Sequence, residues 1–299
     1  MNEGEEHPLF TRFTGNALNE QYLLRTYRNG LFYGDDKTSQ DQAQRKLKQS
    51  VVAISGLAGA GGAVALRLAQ LGVGKLKLAD DRLVTMMSLG RQLGSGREHI
   101  GSSIADSLAR EIGRYAPEVE VDSYSSGINL VNAESFVGGC DLIIDQTRHG
   151  DWAGKIALHR AFRHQQRAQF ILSCSSLGWS VILYKFARTG MKLEDWLGVR
   201  GVEELTPEMV RRLLNMIHPG SPNLPSIGDF EEWISRNQLL PLHAGVTPVA
   251  EGLLVTRALL ILLGFEGVDR FEELPAIPTL YCYDASTFSG FYYESEGPL

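Results

Sequence analysis

The stretch from Ser50 to Gln92 constrains the fold more than any other part of the chain. An apolar run over 51–55 predicts a buried strand, and a helical pattern over 62–71 follows it. Between the two lies a turn rich in glycine, which contains Gly56, Gly59, Gly61 and Gly62. Glycines at this point let backbone N–H groups and a helix N-terminus approach a phosphate. This order is therefore typical of a nucleotide-binding βαβ unit.

An acidic pair strengthens the nucleotide hypothesis. The second apolar strand, over 75–80, ends on Asp80 and Asp81, and an acid at that point can accept hydrogen bonds from ribose hydroxyls. The alternative is purely structural. The glycine turn would then only pack the helix against the strand, and the two acids would form a simple acidic turn. Ala58 favours that alternative, because the strict glycine pattern has glycine there and a methyl group narrows the space for phosphate.

The chain continues to alternate strands and helices up to residue 186. We predict helices at 102–115, 133–138 and 151–165, and strands at 119–124, 141–146, 168–173 and 179–186. Alternation of this kind indicates an α/β fold with a doubly wound, mostly parallel, Rossmann-like sheet covered on both faces. Right-handed crossovers then bring the carboxyl ends of the strands, and any ligand, to one edge.

The domain organisation predicted is an N-terminal arm, residues 1–49, followed by a nucleotide-binding domain over 50–299. The arm includes a helix at Asp41–Leu47. Residues 187–242 are rich in turns and are interpreted as a lid-like insertion with a helix near 206–217. A long apolar helix over 245–264 and a closing strand over 277–283 complete the domain.

Composition excludes several classes of function. The formal net charge is -6, and no basic cluster exceeds Arg45–Lys48, so we expect no nucleic-acid partner. Three scattered cysteines, without a C-x-x-C pair, predict no zinc site and fit a reducing cytoplasm. The start of the chain has no signal-peptide pattern, and the apolar run 252–265 is too short to span a membrane.

Several motifs resemble those of a known family, the ThiF/MoeB/HesA group of bacterial relatives of ubiquitin-activating enzymes. The run LGVGKLKLADDRLVTMMSLGRQ, Leu71–Gln92, is similar to the family's signature after the second strand. Three further stretches agree with the family: CDLIIDQT at 140–147, the helix at 244–264, and an arginine-containing arm at 25–29 with 41–49. The resemblance covers about residues 25–290 and suggests a zinc-free branch.

The resemblance implies ATP and magnesium binding and adenylation of a carboxylate on a peptide or small carrier protein. It also implies roles for individual residues. Asp80 would bind ribose, Arg91 of the Arg91–Gln92 pair would contact phosphate, and Arg28 of the arm would reach into the site of a neighbouring subunit. A homodimer, or a heterodimer with a relative, is therefore expected.

The sequence departs from the family at several of these positions. Ile104 stands at the phosphate-binding lysine, and Arg148 stands at the magnesium-binding aspartate. The second acid of the strand end is Arg82, and Ser88 replaces a usual asparagine. Isoleucine cannot neutralise a triphosphate, and arginine repels a divalent cation, so these changes count against magnesium.

Three hypotheses about function remain open from the sequence. In the first, Arg82, Arg91 and Arg148 form an altered anion site in an active adenylyltransferase-like enzyme, since an arginine fork suits phosphate oxygens. In the second, the chain is a degenerate subunit or scaffold that pairs with an active relative. The third is an NAD-binding oxidoreductase, which the Arg91–Gln92 signature argues against.

Two further side chains are candidates near the predicted edge. Cys174 could carry a thioester or persulfide, although a buried core residue is the commoner role. His149 could contact a nucleotide or act as a base. We expect His159 and His164, on the predicted helix 151–165, to lie at the surface.

Overall fold

Ten strands and eight α-helices make up the part of the chain that the computed structural model describes, residues 4–15, 19–148, 151–198, 232 and 244–295. The strands are β1 (Glu5–His7), β2 (Phe10–Phe13), β3 (Val51–Ser55), β4 (Lys75–Ala79), β5 (Glu120–Tyr124), β6 (Leu142–Asp145), β7 (Phe170–Leu177), β8 (Ser180–Ala187), β9 (Thr279–Asp284) and β10 (Ser289–Glu294). The helices are α1 (Asn19–Gly30), α2 (Lys37–Gln49), α3 (Ala60–Leu71), α4 (Ile104–Tyr115), α5 (Ala133–Val137), α6 (Trp152–His164), α7 (Leu193–Leu197) and α8 (Thr247–Leu263).

Five parallel strands form the centre of the sheet, in the order β5-β4-β3-β6-β7. The chain leaves β3 to build one side through β4 and β5, then returns to build the other through β6 and β7. The strand order therefore reverses between β3 and β6, and ligands of such sheets bind outside the carboxyl ends at that point. The α/β fold class predicted from the sequence is confirmed.

Antiparallel strands extend the sheet on both sides. β2 pairs with β5, and β8, β9 and β10 continue from β7. Only residues 178–179 join β7 to β8, and a connection that short permits an antiparallel hairpin but no parallel crossover. The strands predicted at 179–186 and 277–283 correspond to β8 and β9, whereas the sequence patterns do not predict β1, β2 and β10.

The N-terminal segment contributes to the sheet and to one of its edges. The hairpin of β1 and β2 adds to β5, where Arg12 forms a two-pronged ion pair with Asp122. Helix α2 begins four residues before the predicted start, because the Asp36 side chain accepts hydrogen bonds from Thr38 N and Ser39 N.

Two apolar cores cover the two faces of the sheet. One core packs α3, α4 and α8 against the strands, and the other packs α5, α6 and α7 against the opposite face. Helix α8 has 17 residues and lies across α3. None of the helices in the described ranges is both long and apolar enough to cross a bilayer.

The insertion predicted at 187–242 falls largely outside the described residues. Its first part contains the end of β8 and the short helix α7. The predicted helix near 206–217 lies outside the described residues.

Two glycines bring the backbones of β3, α3 and β6 together at the reversal point. A Cβ on Gly56, which has a φ of +83°, would stand 1.9 Å from the carbonyl oxygen of Gln146. A Cβ on Gly61 would stand 2.0 Å from the carbonyl oxygen of Gly56. Only glycine fits at either position, so the turn is fixed by close approach of three backbone segments.

A buried charge cluster anchors the end of β6. Asp145 Oδ2 lies 2.5 Å from Lys155 Nζ and 3.0 Å from His159 Nε2, and all three side chains are buried. Asp145 Oδ1 accepts a hydrogen bond from Thr147 N at 2.9 Å, which fixes the chain as it leaves the strand. The expectation that His159 lies at the surface is wrong, since α6 turns it toward Asp145, whereas the side chain of His164 is 72% exposed.

The protonation state of His159 follows from these contacts. Burial lowers the pKa of His159, and the hydrogen bond to Asp145 opposes that shift only in part. Burial alone would raise the pKa of Asp145, but the charge of Lys155 and the hydrogen bond from His159 hold it far below its ordinary value. An ionised carboxylate only accepts, so His159 Nε2 carries the proton. The buried Nδ1 has no hydrogen-bond partner among the described residues.

Replacing Gly56 by alanine should destabilise the fold by about 2–4 kcal/mol, because the new Cβ meets backbone and the φ is unfavourable for alanine. Urea unfolding measures the change. Gly252→Ala is the matched control: nothing lies within 4 Å of its added Cβ in α8, so a gain of up to about 1 kcal/mol is expected. Equal stability of the two variants would contradict the close approach at Gly56.

Stability should decrease as the pH falls below about 6.5, the ordinary pKa of histidine, because the unfolded chain takes up a proton that folded His159 does not. Contributions from the lowered pKa of Asp145 are lost only at more acidic pH, below the ordinary aspartate range of about 4. His159→Gln keeps a donor toward Asp145 and removes this titration.

The measurement is the urea midpoint between pH 7.5 and 5.5. The His159→Gln variant should show a flatter profile than the wild type, and His164→Gln should follow the wild type. Parallel profiles for all three proteins would show that His159 is not the group responsible.

Candidate functional site

The glycine turn lies at the carboxyl end of β3, where the strand order reverses. The N–H groups of Ala58, Ala60 and Gly61, at and before the start of α3, have no hydrogen-bond acceptor among the described residues. A Cβ on Gly59 would meet nothing within 4 Å. Unpaired N–H groups at a helix N-terminus beside open space suit a phosphate group.

Asp80, directly after β4, is joined to this turn. Its carboxylate is 4% exposed. Oδ2 accepts hydrogen bonds from Leu57 N and Arg82 Nη2, each at 2.7 Å. Oδ1 accepts from Arg82 Nε at 2.9 Å and from Arg82 N at 3.1 Å. Burial alone would raise the pKa of Asp80, but these donors and the Arg82 charge outweigh it and hold the pKa below its usual value.

Arg148 and Asp81 form a second pair at the same edge. Arg148 Nη2 lies 3.3 Å from Asp81 Oδ2, and the two side chains are 48% and 42% exposed. An ion pair this open to solvent contributes little to stability. Arg148 is therefore available to a ligand at small cost, although its resting partner is an acid of this chain.

Arg91 differs from the other two arginines. Its Nε is buried and has no hydrogen-bond partner among the described residues. Burial and the nearby positive charge of Arg82 lower the pKa of Arg91, against the attraction of Asp80. A bound anion would counteract both the burial of the Arg91 charge and its repulsion by Arg82. Gln92 beside it donates to Ser95 Oγ at 2.7 Å, and its buried Oε1 has no partner in the described structure.

The residues present do not fit a divalent cation. Ile104 is 1% exposed and belongs to the core under α4. The acids of the edge, Asp80 and Asp81, are each engaged by an arginine. Within the described ranges, no three histidine, cysteine or carboxylate side chains are grouped so that they could hold a metal.

Arg28 lies away from the other candidate residues. It is exposed near the end of α1. Two other residues of this helix contact the chain before β4: Arg25 donates to the carbonyl oxygen of Gln70, and Tyr22 donates to the carbonyl oxygen of Gly72. Gln70 and Gly72 precede the amino end of β4, so α1 lies at the opposite edge of the sheet from Asp80. Within one chain, Arg28 does not join the site.

The structure thus brings together most of the predicted residues: Gly56, Gly59, Gly61, Asp80, Arg91 and Arg148. The sequence interpretation missed the role of Arg82 as the partner of Asp80. It also missed Lys155 and His159, whose spacing of four residues on α6 places both on one helix face. That spacing, facing an acid at a strand end, is the signal from which the cluster could have been found.

Cys174 is a buried thiol. Its Sγ lies 3.5 Å from Gln146 Oε1, and burial raises its pKa to about 12. A protonated, enclosed thiol is a poor nucleophile, so the structure favours packing over a carrier role. His149 lies outside the described residues.

Comparisons with known proteins identify the family of this chain. A family model described as the ThiF family matches residues 33–289. A 108-residue stretch is 34% identical to the adenylyltransferase and sulfurtransferase uba4 of Pyricularia oryzae, and covers 36% of this chain and 22% of that protein. A 104-residue stretch is 30% identical to the SAMP-activating enzyme E1 of Haloferax volcanii, and covers 35% of this chain and 38% of the relative.

Solved structures show the same fold. Selenomethionine PaaA superposes with a TM-score of 0.66 at 18% identity, over 96% of this chain and 77% of PaaA. E. coli MccB with ATP superposes with a TM-score of 0.66 at 17% identity, over 92% of this chain and 73% of MccB. Because the family model spans most of the sequence, the chain belongs to the ThiF family.

Proposed function

We propose that this protein binds ATP at the carboxyl edge of β3, β4 and β6 and activates a carboxylate of a peptide or small carrier protein by adenylation. The observation that carries the proposal is the meeting of the glycine turn, Asp80 and Arg91 at the point where the strand order reverses. The buried Nε of Arg91 has no hydrogen-bond partner among the described residues. The relatives support it: uba4 is named an adenylyltransferase, and MccB structures contain ATP or N-formylated MccA.

Each part of the site has a task in that reaction. A substrate carboxylate oxygen attacks the α-phosphorus of ATP, and pyrophosphate leaves. The amides of the glycine turn and Arg91 would hold phosphate oxygens, whose charge must be neutralised for the attack. Asp80 would fix the ribose. Since Ile104 and Arg148 replace the family's lysine and metal-binding acid, the arginines supply the positive charge and magnesium has no part in our proposal.

A degenerate subunit that supports an active relative is the second candidate. It is favoured by the burial of Ile104 and by the pairing of both edge acids with arginines. In that case the exposed Arg28 would complete the partner's site. Membership of the ThiF family counts against the NAD oxidoreductase hypothesis. The three cysteines are free and buried, which supports our proposal of a reducing compartment such as the cytoplasm.

Arg91→Ala should weaken ATP binding by about ten-fold or more, since a charge-assisted hydrogen bond contributes roughly 1.5–3 kcal/mol. Calorimetry with and without magnesium measures the affinity. The wild type is expected to bind ATP weakly and equally in both conditions.

Arg45→Ala, which removes an exposed arginine of α2, is the control and should leave the affinity unchanged. Circular dichroism checks the fold of both variants. Tight binding that requires magnesium would contradict our assignment of the arginines, and unchanged affinity of Arg91→Ala would place the nucleotide elsewhere.

The protein should assemble as a homodimer or with a relative through α1. Leu23 and Tyr27 lie four residues apart on one face of α1 and, with Leu24 and with Leu31 and Phe32 just after the helix, form an exposed apolar stripe beside Arg28. An apolar surface of this kind marks an interaction site. Light scattering at micromolar concentration should give about twice the 33.0 kDa of one chain, or a stable complex with the relative.

The double variant Leu24→Glu with Phe32→Glu should lower that mass to one chain without unfolding it, because both side chains are solvent-exposed in a single chain. A monomeric wild type, both alone and mixed with a relative, would rule out assembly through this stripe.

A further inference from the structure

Arg82 occupies the acceptor positions that a ribose needs on Asp80. An ionised carboxylate offers about four lone-pair positions, and Asp80 uses four for hydrogen bonds from this chain. Two of the donors, Leu57 N and Arg82 N, are backbone groups that hold the turn in place. The other two, Nε and Nη2, belong to the Arg82 guanidinium. Movement of the Arg82 guanidinium therefore frees two acceptor positions on Asp80. A ribose with free 2′ and 3′ hydroxyls has two donors, one for each of these positions.

We propose that Arg82 determines the ligand specificity of this site by exchanging between Asp80 and the phosphates of a nucleotide. In the resting protein it covers Asp80. When ribose hydroxyls take its place, Arg82 turns to the phosphate groups. This inference rests on the proposed function and adds to it a coupling between the two halves of the ligand.

The surroundings of Arg82 make a partial ligand ineffective. The Arg82 side chain is 28% exposed, and Asp80 is almost fully enclosed, so separating the pair without new partners leaves charges poorly compensated. A nucleoside would release Arg82 with no anion to receive it. Inorganic phosphate would attract the Arg82 guanidinium but would leave the Asp80 carboxylate without its ion-pair partner. A nucleotide satisfies both groups at once.

Arg91 lies on the side of the site where the phosphates would bind after this exchange. The Arg82 charge is close enough to lower the pKa of Arg91, and the buried Arg91 Nε has no hydrogen-bond partner in the part of the chain that the structure describes. Two arginines whose charges repel each other would both be stabilised by one phosphate group between them. Arg82 stands where the resemblance puts the second acid of the strand end, so this position has a cation in place of a carboxylate.

The experiment compares the affinities of ATP, adenosine and inorganic tripolyphosphate by calorimetry in EDTA. The wild type should bind ATP at least a hundred-fold more tightly than either partial ligand. In Arg82→Gln, adenosine should bind about ten-fold more tightly, because Asp80 is open, and ATP about ten-fold more weakly. Arg82→Lys keeps the charge and loses the two-pronged geometry, so adenosine should gain as in Arg82→Gln while ATP loses less.

Arg167→Gln is the matched control. Arg167 holds Asp141 through the same two-pronged contact, with distances of 2.6 and 2.9 Å, at the amino end of β6. It should leave the affinities for all three ligands unchanged, and thermal melting checks that each variant is folded.

The outcomes separate the two proposals. If ATP binds the wild type but adenosine binds both Arg82 variants no better, the exchange is wrong and the nucleotide site stands. A parallel loss of ATP and adenosine in both variants would reduce Arg82 to a structural role and also overturn the exchange. If ATP does not bind the wild type, the proposed function fails and the exchange fails with it.

Discussion

The carboxylate of Asp80 is the interaction on which the arrangement of this edge depends. It is a buried charge, and a buried charge is tolerated only where hydrogen bonds and an opposite charge surround it. Here the partners come from two segments: Leu57 N from the glycine turn and Arg82 from the crossover loop after β4. One side chain thus fixes the turn, the strand end and the start of the loop that carries Arg91. Any ligand that binds to Asp80 must therefore displace one of its present hydrogen-bond donors.

The glycine turn imposes a second constraint, which is steric. Gly56 and Gly61 let the backbones of β3, α3 and β6 approach to distances that no side chain permits. The close approach places the amides of the turn beside the end of β6, where the buried cluster of Asp145, Lys155 and His159 holds Thr147 in position. The geometry of the edge therefore comes from backbone contact and buried charge, and both exist before any ligand binds.

The sequence was a good guide wherever one local pattern decided the outcome. Continuous apolar runs such as 51–55 and 142–145 predicted the parallel centre, and the glycines predicted the turn. The pattern failed where partners are distant or elements are short. Strands β1 and β2 have three and four residues and mostly exposed or half-buried side chains, which leaves no periodicity to detect. His159 is buried because its helix faces Asp145, and Arg82 pairs with Asp80 because the loop turns back, and neither fact is visible in residue spacing alone.

The residues that depart from the family pattern have one feature in common: each makes its contacts within this chain. Ile104 adds apolar surface to the core, and burial of such a side chain contributes about 1.5–3 kcal/mol to stability. Arg82 and Arg148 each find a carboxylate beside them. The resemblance gives these positions roles toward ligand and metal, and in the described structure Asp80 and Asp81 each have an arginine of this chain as their partner. Arg91 is the exception, because its buried Nε has no partner in the described structure. Among the described residues of this edge, the charge that remains to be neutralised is positive, and this supports our proposal that an anion, and not a metal ion, is the ligand.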